Sequence, residues 1–227
     1  MITLTDLKPF AQGGNRLCFV DPRDPGRCIK VRRPEFTLED MRRAKGFPHT
    51  LFPASRLDES RKEDAIMTEC ESRLGERAFT VLSRNYGFVE TDMGQGLCSE
   101  LIRNADGRIS LSVMQYVWEN GLTPTLLQAV EQFGQAWIPL LIPTRDILLH
   151  NVVAQCDENQ NIVRLVVIDG LGHSGMIPFN LQPRFYKLRR AKRKILKFRA
   201  LIDELLEARK SGKTLNMFWQ QQHDGLS

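Results

Sequence analysis

An apolar run that ends in an acidic residue is the feature that most constrains how this chain folds. Residues 165–168 read Leu-Val-Val-Ile, and Asp169 follows them directly, with glycines at two of the next three positions. A short apolar run rich in β-branched residues and bounded by turn residues predicts a buried strand. A carboxylate at the end of such a strand is costly to bury without a cation. The sequence therefore predicts that Asp169 is a metal ligand at the end of a buried strand.

A second pair of polar residues lies upstream, in a loop that leads into another predicted strand. Asp146 and Asn151 stand five residues apart in the segment Arg-Asp-Ile-Leu-Leu-His-Asn. An aspartate in such a loop can accept a hydrogen bond from an attacking hydroxyl, and an asparagine supplies a neutral oxygen ligand to Mg²⁺. These residue types and their order predict phosphoryl-transfer chemistry.

The first part of the chain, up to about residue 31, reads as three short antiparallel strands broken by turn residues. Gly13 and Gly14 lie between two of these strands, where backbone amides can approach phosphate oxygens; an ordinary hairpin turn is the alternative. Lys30 lies inside a short apolar strand and needs an anionic partner unless it faces solvent at an edge. The following predicted helix offers three carboxylates for this lysine, and charge alone does not choose among Glu63, Glu69 and Glu71.

Taken in order, these elements match the motifs of protein kinases: a glycine loop, a strand lysine, a helix glutamate, the Arg-Asp-x4-Asn loop and a metal-binding aspartate. We therefore expect an α+β, two-lobed, protein-kinase-like fold. Residues 1–105 would form a small N-lobe with an antiparallel sheet and a helix, and residues 106–227 a reduced, mostly helical C-lobe. In the C-lobe, Thr123 and Pro124 are typical of the first residues of a helix, which we expect to run to about residue 142.

The chain also resembles the PhoP regulatory network YrbL family, whose members have a protein-kinase-like fold. The resemblance extends over nearly the whole chain and is most specific at 86–96, which read Tyr-Gly-Phe-Val-Glu-Thr-Asp followed by two spaced glycines. The other matching positions are the residues around Gly13 and Lys30, together with Asp146, Asn151, Asp169 and Gly172. In that family the helix glutamate falls in a segment similar to 61–66, which implies Glu63 as the partner of Lys30.

The expected activity is transfer of the γ-phosphate of ATP, with Mg²⁺, to a hydroxyl acceptor that the sequence does not identify. The nucleotide and the metal ion would lie in the cleft between the lobes. There Lys30 would contact the α and β phosphates, Glu63 would orient that lysine, and the two loop glycines would approach the phosphates. The strand over 100–102 would pair with adenine through the backbone of Glu100 and Ile102.

In the C-lobe, Asn151 and Asp169 are expected to hold Mg²⁺, and Asp146 to position the acceptor hydroxyl. The chain departs from the kinase pattern at four places, none of which removes a phosphate or metal ligand. These are Ala11 and Arg16 at the first and third loop glycines, Thr144 at the histidine before Arg-Asp, and Gly170-Leu171-Gly172 in place of Phe-Gly. Because every ligand position is filled, the sequence favours an active enzyme over a catalytically silent, kinase-like regulatory or binding protein.

The positive charge is concentrated in one segment. The net charge is +5, yet nine basic residues and no acidic one lie between Arg184 and Arg199, so the rest of the chain is net negative. This segment falls in a predicted helix over 183–210 whose apolar stripe is Phe185, Leu188, Ile195, Phe198, Ile202 and Leu205. The basic residues form either a solvated face or a surface for an acidic partner or membrane headgroups, and the lack of interleaved aromatics disfavours nucleic acid. No apolar run approaches the ~20 residues of a membrane span, and no signal peptide is recognised, so we expect a cytoplasmic protein.

Overall fold

The computed structural model describes residues 1–13, 15–35, 37, 39, 42–43, 47, 58–173 and 179–216. The chain divides into two compact units, Met1–Ser72 with Ser83–Leu101 and Arg73–Leu82 with Ile102–Ser227. The main division follows residue 101, whereas the sequence places the lobe boundary after residue 105. Residues 73–82 belong with the second unit, where the amide of Val167 donates to the carbonyl of Val81 at 2.8 Å.

The first unit is built on a five-stranded antiparallel sheet in the order β1-β2-β3-β5-β4. The strands are β1 (Ala11–Gln12), β2 (Arg16–Asp21), β3 (Asp24–Arg32), β4 (Asn85–Thr91) and β5 (Gly94–Glu100). The predicted antiparallel arrangement of the first three strands is confirmed. This sheet fixes the position of Lys30, which lies on β3 opposite Cys18 of β2 and Leu97 of β5.

The two faces of β3 have different surroundings. One face carries Ile29 and Val31, which belong to the apolar core of the unit together with Ile2, Leu4, Phe19 and Cys98. Because successive side chains of a strand point to opposite faces, Cys28 and Lys30 lie on the other face. Both are nonetheless buried. The second face of β3 is therefore covered, and Lys30 is not an edge lysine facing solvent.

Helix α1 (Glu59–Leu74) belongs to this unit over most of its length and continues into a 3-10 turn, Gly75–Thr80. Asp58 precedes the helix, and its carboxylate accepts from the amide of Ser60 at 3.1 Å, which satisfies a donor of the first turn. The buried positions of α1 are Glu63, Ile66, Met67 and Cys70, spaced as one stripe of a helix. A glutamate thus occupies the first position of an otherwise apolar stripe.

Between residues 102 and 210, the described part of the second unit has three further helices and a hairpin. They are α2 (Val113–Asn120), α3 (Pro124–Leu140), the antiparallel strands β6 (Val152–Cys156) and β7 (Ile162–Val167), and α4 (Arg184–Lys210). Helix α3 begins as predicted: Thr123 is its N-cap and accepts from the amide of Leu126 at 3.2 Å, and Pro124 is the first helical residue. Asn151 lies directly before the hairpin, and Asp169 lies two residues after its last strand residue, Val167.

Aromatic side chains of α3 and α4 form the centre of the second unit. The ring of Phe133 lies 5.5 Å from that of Trp137 and 5.7 Å from that of Phe198. Ile195, Phe198, Ile202 and Leu205 of the predicted stripe are buried. The prediction for Phe185 is wrong, because its side chain is 73% exposed. At about 100° per residue, Phe185 is rotated by ~80° from Ile195 and falls outside the stripe.

The observed arrangement agrees with the predicted α+β fold class. An antiparallel-sheet unit with one helix is followed by a mostly helical unit with a hairpin. Among the helices described, none is long and apolar enough to cross a membrane.

Candidate functional site

The first unit holds a buried ionic cluster around Glu63. Its Oε1 accepts from Lys30 Nζ at 2.7 Å, and its Oε2 accepts from Arg16 Nη1 at 2.7 Å. The three side chains are exposed by 4% for Glu63, 6% for Lys30 and 10% for Arg16. The carboxylate therefore uses each of its oxygens on a different cation, in an environment where charge–charge interactions are strong.

The sheet and helix of this unit explain why Glu63 is the residue that meets Lys30. Glu63 shares the buried stripe of α1, whereas Glu69 and Glu71 lie outside that stripe and are exposed. The pairing that the family resemblance implied, Lys30 with Glu63, is present in the structure. The role of this pair toward phosphates stays a prediction.

The predicted glycine loop is described only in part. Gly13 is exposed and donates its amide to the carbonyl of Arg16 at 2.9 Å, closing the turn between β1 and β2. Gly14 lies outside the described residues. Sequence reasoning noted Arg16 only as a departure from the third glycine, but its guanidinium contacts the same carboxylate as Lys30. A basic residue at the start of a strand was the available signal, and it did not by itself indicate a buried partner.

The predicted adenine-binding segment lies at the end of β5 and just beyond it. The amide of Glu100 donates to the carbonyl of Arg84 at 2.9 Å, and the Glu100 carboxylate accepts from the amide of Arg84 at 3.0 Å. In the second unit, the carbonyl of Ile102 accepts from the amide of Ser110 at 3.0 Å. These contacts are part of the fold itself, and adenine pairing through Glu100 and Ile102 stays a prediction.

In the second unit, Thr144 connects the loop that carries Asp146 with the turn that follows Asp169. Its hydroxyl lies within hydrogen-bond distance of two carbonyls, 3.1 Å from that of Asp146 and 2.8 Å from that of Gly170. The amide of Arg145 donates to the same Gly170 carbonyl at 3.3 Å. Thr144 is 3% exposed. The residue that replaces the histidine of the kinase pattern thus joins the two segments that carry the candidate ligands.

Asn151 lies against the same turn. The amide of Ile168 donates to the carbonyl of Asn151 at 2.9 Å. Gly170 has a positive φ of 83°, and a Cβ at this position would lie 2.8 Å from Asn151 Nδ2 and 3.2 Å from the carbonyl oxygen of Asp146. The structure therefore brings Asp146, Asn151 and the residue after Asp169 together, and only a glycine fits between them without displacing a neighbour.

Asn151 and Asp169 offer too few ligands for a metal ion that is held by protein side chains alone, but they suit Mg²⁺. Mg²⁺ is commonly bound through one or two carboxylates, with phosphates and waters completing its octahedral shell. In the part of the chain that the structure describes, no group of three or more His, Cys, Asp or Glu side chains forms a metal site. One carboxylate and one amide oxygen fit a cation that arrives with a nucleotide. Their role as ligands stays a prediction.

Helix α4 contributes two lysines to this region that sequence reasoning did not assign to the site. Lys197 Nζ donates to Asp146 Oδ2, and Lys194 Nζ donates to the carbonyl of Thr144. Burial lowers the pKa of Lys194 from 10.5 to about 8, with nearby Arg190 acting in the same direction and Asp146 against it. Lys194 and Lys197 are three residues apart, which indicates that they share one face of α4. The sequence does not show which surface that face contacts.

Comparison with known proteins identifies the family. A model of the family described as PhoP regulatory network protein YrbL matches residues 2–203. The chain belongs to this family. The expected YrbL resemblance is thereby confirmed. The matched range contains all the candidate site residues, whose roles stay predictions.

Two curated relatives and one solved structure extend the comparison. The proteins named Uncharacterized protein YrbL from Escherichia coli (strain K12) and from Shigella flexneri are each 25% identical over 203 residues, covering 85% of this chain and 84% of the relative. The chain is also similar to the structure titled "Crystal structure of Rad53 1-466 in complex with AMP-PNP", with a TM-score of 0.41 and 13% identity over 88% of this chain. It spans 44% of the length of that Rad53 chain.

Proposed function

We propose that this YrbL-family chain is a kinase-like phosphotransferase that uses ATP and Mg²⁺ to phosphorylate a hydroxyl acceptor. The observation that carries the proposal is the buried pair of Lys30 and Glu63, with 2.7 Å between Nζ and Oε1. Burying an ammonium and a carboxylate costs several kcal/mol for each ion, and such a pair often adds no stability over apolar residues. A pair retained at that cost is better explained by a requirement for a fixed positive charge than by stability.

Each proposed role follows from the chemistry of the residue. Lys30, oriented by Glu63, provides the positive charge that α and β phosphates require. Asn151 and Asp169 would hold Mg²⁺, which supplies charge neutralisation at the phosphate oxygens when it is bound. Asp146 accepts the hydrogen bond of the acceptor hydroxyl and so orients its oxygen for attack.

The proposed reaction transfers one phosphoryl group. The acceptor oxygen forms a bond to the γ-phosphorus, and the bond from that phosphorus to the bridging oxygen breaks. ADP leaves with the electron pair of the broken bond, and the proton of the hydroxyl passes to Asp146. The contact of Lys197 with Asp146 means that the acceptor must share or replace this lysine at the carboxylate.

A second candidate is a kinase-like regulatory or binding protein without turnover. The observation in its favour is the contact of Lys197 with Asp146, because it occupies a carboxylate oxygen that would otherwise accept from the hydroxyl of a substrate. Nucleotide binding without transfer would distinguish this candidate from the enzyme.

Thermal unfolding with ATP, measured with and without Mg²⁺, tests the proposal. A nucleotide at about 100 times its dissociation constant stabilises the folded protein by ~2.7 kcal/mol. We expect stabilisation that requires Mg²⁺, and we expect Asp169→Ala to lose the Mg²⁺-dependent part. Asp203→Ala is the matched control, because this aspartate is exposed on the second unit and outside the proposed site.

Release or transfer of the γ-phosphate, followed with ATP labelled at that position, separates the two candidates. Binding with transfer supports the enzyme, and binding without transfer to water, protein or a panel of hydroxyl compounds supports the regulatory protein. If neither ATP nor Mg-ATP shifts the unfolding temperature, the nucleotide-binding proposal is wrong.

A further inference from the structure

Four basic residues of α4 lie along one side of the helix that faces the rest of the second unit. Lys187, Arg190, Lys194 and Lys197 are spaced by three, four and three residues, which places them on one stripe. We call them the cation row. Lys194 is buried, Lys187 and Arg190 are half-buried, and Lys197 is exposed but contacts Asp146, whereas Arg189, Lys192 and Arg193 on the other side of the helix are exposed. The structure thus separates the basic segment into an inner row and an outer, solvated face.

The cation row borders a depression in the second unit. Lys187, Arg190 and Lys194 line it together with Thr144, Gly172 and the rings of Phe179 and Trp137. The empty space amounts to about 330 Å³, part of it open to solvent. The enclosed part is much smaller, about 20 Å³, which is room for roughly one water-sized group, so a larger anion would place one oxygen in the recess and extend into its open side.

Trp137, which lines the depression, carries a buried hydrogen-bond donor without a described acceptor. Its side chain is fully buried, and its indole Nε1 has no hydrogen-bond partner among the described residues. Buried donors without an acceptor are rare in folded proteins, and each one calls for an explanation such as a bound ion or water. An indole N–H can only donate, so the missing group must be an acceptor.

The contacts of two members of the row are with neutral groups. Lys187 Nζ lies 4.6 Å from the centre of the Phe179 ring, and Lys194 donates to the carbonyl of Thr144. Holding ammonium groups close together with neutral partners is unfavourable when they are shielded from water. A bound anion would relieve the mutual repulsion of the three cations and would accept hydrogen bonds from all of them.

We propose that this depression is a binding site for a phosphate group, formed by Lys187, Arg190, Lys194 and the indole N–H of Trp137. Every polar side-chain group in this set is a donor, which selects an anion over a neutral or cationic group. A recessed site with a buried indole suits the phosphate of a soluble monoester rather than a flat lipid surface.

The position of the site suggests what the phosphate belongs to, a step that rests on the proposed function. Lys194 contacts Thr144, two residues before Asp146, and Lys197 of the same row contacts Asp146 itself. A substrate anchored by its phosphate on the row would direct its hydroxyl along α4 toward Asp146. The acceptor would then be a phosphorylated compound that carries a free hydroxyl.

The indole signal of Trp137 in a ¹⁵N–¹H spectrum reports on the site directly. The chain has three tryptophans, so Trp137→Phe assigns the signal by its loss. Inorganic phosphate is titrated at an ionic strength held constant with sodium chloride. We expect the Trp137 signal to move saturably, and the dissociation constant to rise by ~10-fold or more in Lys187→Gln/Arg190→Gln, since each change removes a charged hydrogen-bond donor.

The matched control is Arg189→Gln/Lys192→Gln, which removes the same charge from the exposed side of α4. We expect its phosphate affinity to equal that of the wild type. Retention of the other indole signals in both double variants shows that they are folded. A Trp137 signal that does not move, or an equal loss of affinity in the two double variants, would overturn the proposal.

Two further arms identify the source of the phosphate and separate this site from the nucleotide site. Glycerol phosphate should act like inorganic phosphate; a response to phosphatidylglycerol vesicles alone would instead reveal a membrane surface and overturn the proposal. A phosphate response without Mg-ATP binding would support the anion site while refuting the proposed kinase function. Mg-ATP binding without a phosphate response at Trp137 would support nucleotide binding while refuting the anion site.

Discussion

Replacing Glu63 by Gln should destabilise the first unit more than replacing either of the cations that it contacts. Glu63 accepts from Lys30 through one oxygen and from Arg16 through the other, each at 2.7 Å, and all three side chains are buried. Glu63→Gln keeps the shape of the side chain but removes the negative charge from both contacts. Lys30→Met or Arg16→Met removes only one contact and leaves the other pair in place.

The expected magnitudes follow from this asymmetry. Removing one partner of a buried ion pair costs roughly 3–5 kcal/mol, because an unpaired charge stays behind in a poorly solvated environment. We expect Glu63→Gln to lower the free energy of unfolding by about 3–5 kcal/mol and Lys30→Met by about 1–2 kcal/mol. The double variant Glu63→Gln/Lys30→Met leaves no Lys30 charge without its partner. Its loss of stability should therefore be smaller than the sum of the losses in the two single variants.

Unfolding by urea, followed by circular dichroism, measures these differences. Glu69→Gln is the matched control, because Glu69 is an exposed glutamate of the same helix, and we expect it to change stability by about 0.5 kcal/mol or less. If Glu63→Gln were no more destabilising than Glu69→Gln, the buried ionic cluster would not exist in solution as described. A double variant whose cost equals the sum of the single costs would show that Lys30 and Glu63 do not interact.

Three further predictions concern the second unit. Lys194→Met should raise stability at pH 7 by about 2–3 kcal/mol, because the pKa of Lys194 falls from 10.5 to about 8 on folding. The cost of burying the charged lysine is complete below pH 8 and is relieved as the pH rises toward 10.5. The melting temperatures of the wild type and the variant should therefore converge near pH 10.5. Thr123→Ala should cost about 1 kcal/mol in urea unfolding through loss of the helix cap, and Thr123→Ser should not. Gly170→Ala and Gly212→Ala both place a side chain at positive φ, 83° and 72°, which should cost about 1 kcal/mol each. Gly170→Ala should cost more than Gly212→Ala, because its Cβ also meets Asn151, and only Gly170→Ala should weaken Mg-ATP binding in thermal shift.

The pairing of Lys30 with Glu63 illustrates what the sequence makes predictable. A lysine inside an apolar strand requires an anionic partner, and this requirement needs no knowledge of the rest of the fold. The choice of Glu63 was also available locally, since Ile66, Met67 and Cys70 place it on the apolar side of the helix. Charge alone left the choice open because it ignores this periodicity.

The contacts of α4 were not predictable in the same way. The helix itself and most of its apolar stripe follow from periodicity, but Phe185 does not lie on that stripe, as the angle per residue shows. Lys197 contacts Asp146 across 51 residues of sequence. Such a contact depends on how the helix packs on the loop, and neither the loop nor the helix encodes that packing by itself.

The hydroxyl of Thr144 stands where the kinase pattern has an imidazole. A histidine changes its charge near pH 6.5, within the range that cells experience, whereas a threonine hydroxyl stays neutral throughout that range. The link that Thr144 forms with the carbonyls of Asp146 and Gly170 is therefore insensitive to acidification. In this chain the junction between the two segments keeps the same hydrogen bonds in mildly acidic and neutral surroundings.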